Sequence, residues 1–346
     1  MTTTDTPHET VCVTGASGFI GTHVVRTLLE RGHRVRATVR DPADDAKTAH
    51  LRALPGADER LELRGADLLV PGSFDDAIAG CASVFHVATA VFLHARDPQR
   101  DIIDPAVKGT ENVLRAIERA GTVKRVGLTS SIAAIQSTER RPGHVYTEAD
   151  WNEDATVKTN PYGLGKTIAE KTAWAASERL GFPLMVVNPV LVLGPVYARV
   201  HMRSSPSALK SIVSGQYPGC PKLSFGIVDV RDVAEALVRG VERGVSGRFI
   251  LHAESLWMRD IALRLAPRYP QLRIRTWPLP NAVMYLAPLF EKRVSLDYLR
   301  RNLGRMDRID NSKVQRELGL ALRPVDQTLF DTVDSFLAHG FVRPRR

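Results

Sequence analysis

The sequence predicts an α/β fold, in which helices cover both faces of a parallel sheet and a smaller lobe is appended. Short runs of β-branched and apolar residues alternate with stretches of helical periodicity along the first half of the chain. These runs are apolar nearly throughout, as in strands that are buried on both faces. The 346 residues, of which 44% are hydrophobic, exceed the size of most single cores, so a second lobe is expected.

The predicted strands occur in order at residues 10–14, 34–39, 83–88, 124–130 and 183–189. After the first strand, Ile20, Val24 and Leu28 recur every four residues and Gly32 follows as a stop signal, which predicts a helix between two strands. A late run at residues 247–251 predicts a strand that returns to the sheet. We therefore expect a doubly wound sheet.

The pattern loosens after residue 194, where clusters of Pro and Ser appear and most later segments are helical. We assign residues 1–194 to the sheet domain, with return segments near 226–251. Residues 195–225 and 252–346 are assigned to the smaller, mostly helical lobe.

Composition limits the classes of partner. The net charge of +9 favours anionic ligands, but the basic residues are scattered without an aromatic-interleaved stripe, so nucleic-acid binding is not expected. The three cysteines are dispersed and none of the ten histidines has metal-ligand spacing, so neither disulfides nor a metal are expected. The first ten residues lack a signal-peptide pattern and the longest apolar run is interrupted by prolines, which predicts a cytoplasmic protein without membrane contact. We expect a monomer or homodimer that acts on a small molecule.

The segment VCVTGASGFIG places Gly15, Gly18 and Gly21 directly after the first strand and at the start of the helix. Glycines here permit a tight turn, close approach of the backbone to a pyrophosphate, and close packing of helix on strand. The helix N-terminus adds free N–H groups and the positive end of its dipole. The combination predicts a Rossmann-type site for a dinucleotide.

The end of the second strand distinguishes the two nicotinamide dinucleotides. Enzymes that use NAD place an acidic residue there, about 20 residues beyond the glycine turn, to bind the ribose hydroxyls. Here Arg40 follows Val39, and Lys47 lies nearby; a guanidinium suits bidentate contact with a 2′-phosphate. NADPH is therefore favoured over NADH, although Asp41 leaves NADH open. Asp67 is either an acceptor for the adenine amine or a turn aspartate.

The segment NPYGLGK begins a helix and carries a tyrosine and a lysine one turn apart. Tyr162 and Lys166 share one helical face, and a nearby ammonium stabilises a phenolate and lowers the tyrosine pKa from about 10. The pair therefore suits acid–base catalysis. Asn160 is the candidate N-cap, Pro161 the first helical residue and Gly181 the stop signal.

Three hydroxyl side chains, Thr129, Ser130 and Ser131, follow the apolar strand in KRVGLTSSIAAI. Ligands of an open parallel sheet bind beyond the carboxyl ends of its strands, so a hydroxyl here is placed to polarise a substrate carbonyl. The alternative is that these side chains satisfy backbone groups at the strand end.

Together these segments resemble the extended short-chain dehydrogenase/reductases, and more closely the branch of dihydroflavonol, cinnamoyl-CoA and aldehyde reductases. The motifs occur in that branch's order over most of the chain: VCVTGASGFIG, VRATVRDP, VFHVAT, DPAVKGTENVL, LTSS, PYGLGK, NPVLVLGP and DNSKVQRELG. The resemblance implies a catalytic set of Ser131, Tyr162 and Lys166, and a substrate-binding role for the smaller lobe. It also implies a site for NADPH/NADP+ formed by Gly15, Ser17, Gly18, Phe19, Ile20, Gly21, Arg40, Lys47, Asp67, Leu68, Ala88, Thr89, Ala90, Thr129, Tyr162, Lys166, Pro189, Val190, Val192 and Ser207.

Two positions depart from the pattern of that branch. Gly165 stands where serine is common, and we expect this glycine to widen the site around the nicotinamide. Gln136 stands where plant flavonoid reductases use asparagine on their polyphenol substrate, so flavonoid specificity is not expected. We expect Gln136 to line the substrate pocket with Phe92, His94 and Tyr197; for these last three, ordinary loop roles are the alternative.

The resemblance implies hydride transfer from NADPH to a ketone or aldehyde, with Tyr162 as proton donor and a chiral alcohol as product. A 3β-hydroxysteroid dehydrogenase is a close alternative. A nucleotide-sugar epimerase or dehydratase would share the fold but tend to carry an acid in place of Val39 or Arg40. A non-catalytic NADP(H)-sensing protein would need the glycine turn but neither Tyr162 nor Lys166.

Overall fold

The computed structural model describes residues 9–89, 97–285 and 296–345. Its strands, in chain order, are β1 (Thr10–Thr14), β2 (Arg34–Val39), β3 (Leu61–Gly65), β4 (Ser83–His86), β5 (Arg125–Thr129), β6 (Val145–Tyr146), β7 (Leu184–Pro189), β8 (Leu191–Leu193), β9 (Ser224–Asp229), β10 (Gly247–Leu251), β11 (Glu254–Trp257) and β12 (Arg308–Ile309). Seven strands form one sheet in the order β10-β7-β5-β4-β1-β2-β3, and all neighbours are parallel. This is the strand order of a Rossmann sheet, so the predicted fold class is confirmed.

Helices connect these strands. In chain order they are α1 (Phe19–Glu30), α2 (Asp45–Arg52), α3 (Ala57–Arg60), α4 (Asp75–Ile78), α5 (Asp104–Ala120), α6 (Pro161–Leu180), α7 (Pro206–Val213), α8 (Val230–Glu242), α9 (Met258–Leu265), α10 (Asn281–Met284), α11 (Leu296–Asn302), α12 (Ser312–Leu318) and α13 (Val325–Ala338), with short helical turns at Gln99–Ile103, Ile132–Ala134 and Arg199–Arg203. Within the described ranges, no helix has the length and apolar character needed to cross a membrane.

Each face of the large sheet has its own apolar core. In β1, Val11 and Val13 belong to one cluster and Cys12 to the other, because alternate side chains of a strand point to opposite faces. The first cluster contains buried residues of α1 and α8, which pack against each other, and the second contains those of α5 and α6. The sheet is thus covered on both sides.

The helix α6 begins and ends where its sequence signals predict. Asn160 Oδ1 accepts a hydrogen bond from the backbone N–H of Gly163 at 2.9 Å, and Pro161 occupies the first turn, where an intrahelical N–H donor is not needed. Gly181 ends the helix with a φ of +76°, in the left-handed region that favours glycine. These caps set the position of Tyr162 and Lys166 on the helix.

The chain leaves the large sheet after β7 and later returns to it. The strands β8, β9 and β11 form a small mixed sheet, and β12 pairs with β6. The strand β10 then pairs with β7 at the edge of the large sheet, at the residues where the late apolar run predicts a strand. The domain boundaries drawn from the sequence stay a prediction.

Candidate active site

The glycine-rich turn between β1 and α1 brings the chain close to the end of β4. Gly15 has a φ of +67°, and a Cβ there would lie 2.7 Å from the Cα of Ala88, so only glycine fits without strain. A Cβ on Gly21 would overlap the carbonyl oxygen of Gly15. Gly18 is the N-cap of α1 and provides no side-chain cap, so the N–H groups of the first turn are available to an anion.

Three predicted cofactor residues lie beyond the ends of β2 and β3. In the described part of the chain no carboxylate pairs with the exposed Arg40 guanidinium, whereas the Lys47 ammonium pairs with Asp44. Asp67 Oδ1 accepts a hydrogen bond from the N–H of Leu69 at 2.8 Å, which is the turn role that the sequence left open. Arg40 is therefore the cation more available to a phosphate.

Lys166 is buried beside the end of β5. The residue is 7% exposed, and its Nζ lies 3.4 Å from the carbonyl oxygen of Thr129. An ammonium has three donors, and within the described residues this long contact is the hydrogen bond that Nζ makes. Burial of a charge without full pairing is unfavourable, so a ligand that brings hydroxyl groups to Nζ would fit here.

A cavity of about 20 Å³ beside Lys166 brings several predicted cofactor residues together; that volume suits about one water molecule. Thr129 Oγ1 is buried there and has no hydrogen-bond partner among the described residues. His86 is also buried; burial first, and the nearby charge of Lys166 second, lower its pKa to about 3, so it is neutral near pH 7. The predicted cofactor residues that line this cavity are Leu68, Ala88, Thr89, Thr129 and Lys166.

The structure distinguishes the two serines that follow β5. Ser130 Oγ donates a hydrogen bond to the buried carboxylate of Glu170, so its proton is already engaged. Ser131 Oγ accepts a hydrogen bond from the N–H of Ala133 at 3.2 Å, which leaves its own proton free to donate. Ser131 is therefore the better donor to a substrate carbonyl, as the sequence resemblance implies.

Tyr162 lies one helical turn before Lys166 on α6. The tyrosine is 38% exposed, whereas the lysine is buried. The phenol is thus accessible from solvent and the ammonium lies deeper in the protein. This arrangement suits a proton donor that meets a substrate in front of a fixed cation.

A cleft of about 530 Å³ opens beside these groups. Ile132 and Ala133, directly after Ser131, line it together with Asn160, the N-cap of α6. The other described residues that line it are Gln136, Ser137, Thr138, Lys158, Thr159, Val190, Leu191, Ser224, Phe225, Gly226, Ser255, Asp297, Tyr298, Arg301, Asn302, Arg305, Asp307 and Ile309. The cleft therefore lies between residues that follow β5 and β7 of the large sheet and residues of β9, α11 and β12.

Among the described residues, Gln136 is the predicted substrate residue that lines this cleft. Its Nε2 donates a hydrogen bond to Asp307 Oδ2 at 2.9 Å. Arg305 pairs with the same carboxylate at 2.7 Å and donates to the backbone carbonyl of Ser137 at 3.0 Å. The amide of Gln136 is thus held by the segment between α11 and β12.

The structure places Tyr197 away from this cleft, and its predicted role as a substrate residue stays a prediction. Its hydroxyl accepts a hydrogen bond from Arg26 Nη1 at 2.6 Å, and its ring lies 5.0 Å from that of His23. Its backbone N–H donates to His201 Nδ1, and Tyr197 is absent from the described residues that line the cleft. Through these contacts Tyr197 packs the segment after β8 against α1.

Gly163 and Gly165 leave room for protein neighbours. A Cβ at Gly163 would lie 2.5 Å from Asn160 Nδ2 and 2.9 Å from Asn152 Nδ2. A Cβ at Gly165 would have the Cα of Ile103 as its nearest neighbour, at 3.4 Å. Gly165 therefore faces the segment that precedes α5 and the first turn of that helix, and its expected effect on the nicotinamide site stays a prediction.

The remaining described cofactor candidates belong to β7, β8, α7 and α1 and to the turns beside them. Pro189 ends β7, and Val190 and Val192 beside it are buried. Ser207 lies in the first turn of α7, where its hydroxyl donates to the carbonyl of Ser204 at 2.8 Å. Ser17, Phe19 and Ile20 complete the glycine turn and the start of α1. Ala90, Phe92 and His94 lie outside the described residues.

Sequence reasoning missed a buried polar network behind Ser131. It contains Glu170, Asn188 and Arg248, which are all nearly inaccessible to solvent. Two signals were present: Arg248 is a charge within the otherwise apolar run GRFIL, and Glu170 follows Lys166 by one helical turn.

The Rossmann sheet, the glycine turn and the paired tyrosine and lysine place the chain among the dinucleotide-binding α/β proteins. Residues 11–251 match the NAD dependent epimerase/dehydratase family, and the chain belongs to that family. It is 41% identical over 269 residues to cinnamoyl-CoA reductase CAD2 of Medicago truncatula, and the aligned region covers 76% of this chain and 82% of that protein. It is 40% identical over 270 residues to dihydroflavonol 4-reductase of Zea mays, over 76% of this chain and 75% of that protein.

A solved structure extends the likeness to nearly the whole chain. The structure of yeast methylglyoxal/isovaleraldehyde reductase Gre2 in complex with NADPH superposes on this chain with a TM-score of 0.78 and 26% sequence identity. The superposition covers 96% of this chain and 99% of the Gre2 chain. The predicted family, reductase branch and oxidoreductase class are therefore confirmed. The predicted cofactor agrees with the one in that complex.

Proposed function

We propose that this protein is an NADPH-dependent carbonyl reductase that converts a ketone or aldehyde to a chiral alcohol. The buried Lys166 ammonium carries the proposal, because it lies one turn from Tyr162 and makes one long hydrogen bond within the described residues. A cation so placed stabilises a phenolate and needs the hydroxyl partners that a dinucleotide ribose would supply. A protein that only senses NADP(H) would need no tyrosine beside this lysine.

The residues of the glycine turn and of the end of β2 fit a phosphorylated dinucleotide. NADPH, when bound, supplies a hydride to the carbonyl carbon. Arg40, which has no carboxylate partner among the described residues, would bind the 2′-phosphate, and Lys47 would add a second positive charge. The uncapped start of α1 would bind the pyrophosphate. The presence of NADPH in the yeast Gre2 complex supports this choice.

The proton would come from Tyr162, which is partly exposed to solvent one helical turn from Lys166. Ser131, whose hydroxyl proton is free, would donate a hydrogen bond to the carbonyl oxygen as negative charge develops there. Lys166 would hold the ribose hydroxyls and keep a positive charge one helical turn from the phenol that transfers the proton.

The cleft favours a substrate with polar groups away from its carbonyl. An ionised carboxylate only accepts hydrogen bonds, so Asp307 fixes the amide nitrogen of Gln136 toward itself. The amide oxygen of Gln136 is then available to a hydroxyl or N–H donor of the substrate. Several hydroxyl side chains also line the cleft: Ser137, Thr138, Thr159, Ser224 and Ser255.

The test is to follow oxidation of NADPH and of NADH by the purified protein with a panel of aldehydes, ketones, keto esters and imines. We expect turnover with at least one ketone or aldehyde, and a kcat/KM at least about tenfold higher with NADPH, because a charged hydrogen bond contributes about 1.5–3 kcal/mol. Absence of turnover with every carbonyl would overturn the proposed reaction. A preference for NADH would overturn the assignment of Arg40.

A further inference from the structure

Glu170 is a fully buried carboxylate next to the proposed catalytic groups. Its side chain has no exposed surface. Arg248 Nε donates to Oε1 at 2.6 Å, and Asn188 Nδ2 donates to Oε2 at 2.8 Å. Ser130 Oγ also donates to Oε2, and Trp174 Nε1 approaches Oε1 at 3.5 Å. Four donors from four parts of the chain thus converge on one carboxylate.

These donors connect the two elements that carry the proposed catalytic residues. Tyr162, Lys166 and Glu170 are spaced four apart on α6, so they lie along one side of the helix. Ser130 immediately precedes Ser131 at the end of β5. Asn188, in β7, donates both to Glu170 and to the backbone carbonyl of Ser131, at 3.2 Å. Glu170 is therefore the point at which α6 is joined to the backbone that presents the Ser131 hydroxyl.

Arg248 holds this carboxylate in place. The guanidinium Nη1 donates to the backbone carbonyls of Glu148 at 2.8 Å and Asp150 at 2.6 Å. The guanidinium carbon lies 3.8 Å from the ring centre of Trp151. Arg248 is thus held by the loop before α6 and by β10, and it can position Glu170 instead of moving with it.

A buried ion pair is a weak source of stability, because apolar residues of similar volume are often as stabilising. The pair here serves to orient other groups, because a carboxylate accepts several hydrogen bonds at once, whereas an apolar side chain would orient none of the donors. The pair therefore suits a role in geometry better than a role in stability.

We propose that Glu170, held by Arg248, is a positioning residue that sets Ser131 relative to Tyr162 and Lys166; this inference rests on the proposed reductase function. Glu170 touches neither the substrate nor the cofactor in this proposal. It acts through Ser130 and Asn188 on the backbone that carries the Ser131 hydroxyl. A displacement of about 1 Å in such a group can lower the rate about 100-fold.

The experiment compares Glu170→Gln and Ser130→Ala with the wild-type protein. Glu170→Gln replaces an acceptor oxygen by a donor, so it disrupts part of the network. Ser130→Ala removes one donor and leaves the ion pair between Glu170 and Arg248 intact. It therefore tests the network even where the glutamine variant fails to fold. Glu178→Gln, the same change at an exposed position of α6, is the matched control. Val333→Ala, in the core at α13, is a control for lower stability alone.

For each variant kcat, KM, the Kd for NADPH and the melting temperature are measured, with kcat taken well below each melting temperature. We expect kcat to fall roughly 10- to 100-fold for Glu170→Gln and about fivefold or more for Ser130→Ala. The Kd for NADPH should stay within about twofold, since the glycine turn and Arg40 are untouched. The isotope effect on kcat, measured with NADPH deuterated at the transferred position, should be larger in the variants than in the wild type. The reason is that a slower hydride step limits kcat to a greater extent.

The outcomes separate the two proposals. If the wild type reduces carbonyls and both variants keep its kcat, the positioning role is wrong and the reductase function stands. If kcat falls only as it does in Val333→Ala, with no change in the isotope effect, Glu170 is structural and the inference is also overturned. If the wild type reduces no carbonyl, the reductase function fails and the positioning role fails with it.

Discussion

The proposed cofactor half and the proposed substrate half of the site are assembled in different ways. The cofactor half is built around one contiguous segment, β1, the glycine turn and α1, to which Arg40 and Lys166 are added. The substrate half is the 530 Å³ cleft, whose walls come from segments scattered between residues 132 and 309. A contiguous segment leaves a recognisable pattern in the sequence, whereas a scattered set of residues does not. In the proposed mechanism the two halves meet at Ser131, Tyr162 and Lys166.

The largest expected effect tests the point where the two halves meet. Tyr162→Phe removes the proposed proton donor, so kcat should fall about 10²- to 10⁴-fold, the usual contribution of a positioned acid. The Kd for NADPH should stay within about twofold. Steady-state kinetics and a fluorescence titration measure these quantities. Tyr197→Phe is the matched control, because Tyr197 contacts Arg26 rather than the cleft. Activity that persists in Tyr162→Phe would show that another group supplies the proton.

The second effect is confined to the cofactor half. Arg40→Gln removes the guanidinium proposed to bind the 2′-phosphate, so the KM for NADPH should rise about 10- to 100-fold, as expected for a lost charged hydrogen bond. The KM for NADH should change little. Lys124→Gln, an exposed change just before β5 and so at the opposite end of the sheet, should leave both values unaltered. Equal changes for the two cofactors would contradict a contact with the 2′-phosphate.

The third effect tests the histidines that support the cofactor half. Burial lowers the pKa of His23 to about 4, of His86 to about 3 and of His201 to about 2, against about 6.5 in the unfolded chain. Below about pH 6.5 these histidines bind more protons in the unfolded state than in the folded state. Their contribution to the free energy of unfolding is therefore fully present above about pH 6.5 and is lost as the pH falls toward about 4. We expect the free energy of unfolding to fall by about 1 kcal/mol or more per pH unit near pH 5.

Urea unfolding at pH 7.5, 6 and 5 measures this dependence. His23→Gln keeps an N–H donor for the carbonyl of Pro195, which His23 Nε2 now approaches at 2.9 Å, but it cannot titrate. The pH dependence should therefore decrease in that variant. An unchanged slope would mean that His23 does not contribute to it.

The smallest effect distinguishes two glycines of α6. Gly165→Ala should raise stability by up to about 1 kcal/mol, the usual gain of alanine over glycine in a helix, because its Cβ meets its nearest neighbour at an ordinary 3.4 Å. Gly163→Ala should lower stability, since its Cβ would displace the N-cap side chain of Asn160. Thermal unfolding of both variants measures the difference. The same sign in both would contradict the assigned packing.

Much of the fold and of the cofactor half could be predicted from the sequence. The glycine turn, the caps at Asn160 and Gly181 and the spacing of Tyr162 and Lys166 depend on residues within a few positions of each other. Their physical causes are backbone conformation, capping hydrogen bonds and helical periodicity, all of which act locally. The contact between the Tyr197 hydroxyl and Arg26, on α1, could not be predicted in this way, because nothing near Tyr197 in sequence indicates it.

The sequence by itself determined the parallel α/β fold, the dinucleotide turn and the tyrosine–lysine pair, because periodicity and turn chemistry act over a few residues. Only the tertiary structure decided that Ser130 is engaged by Glu170, that Gly165 faces the segment before α5, and that Gln136 is held by Asp307. Glu170 and Arg248 are 78 residues apart. Such pairs depend on how the helices pack onto the sheet and on which way each side chain points, and no local pattern encodes either.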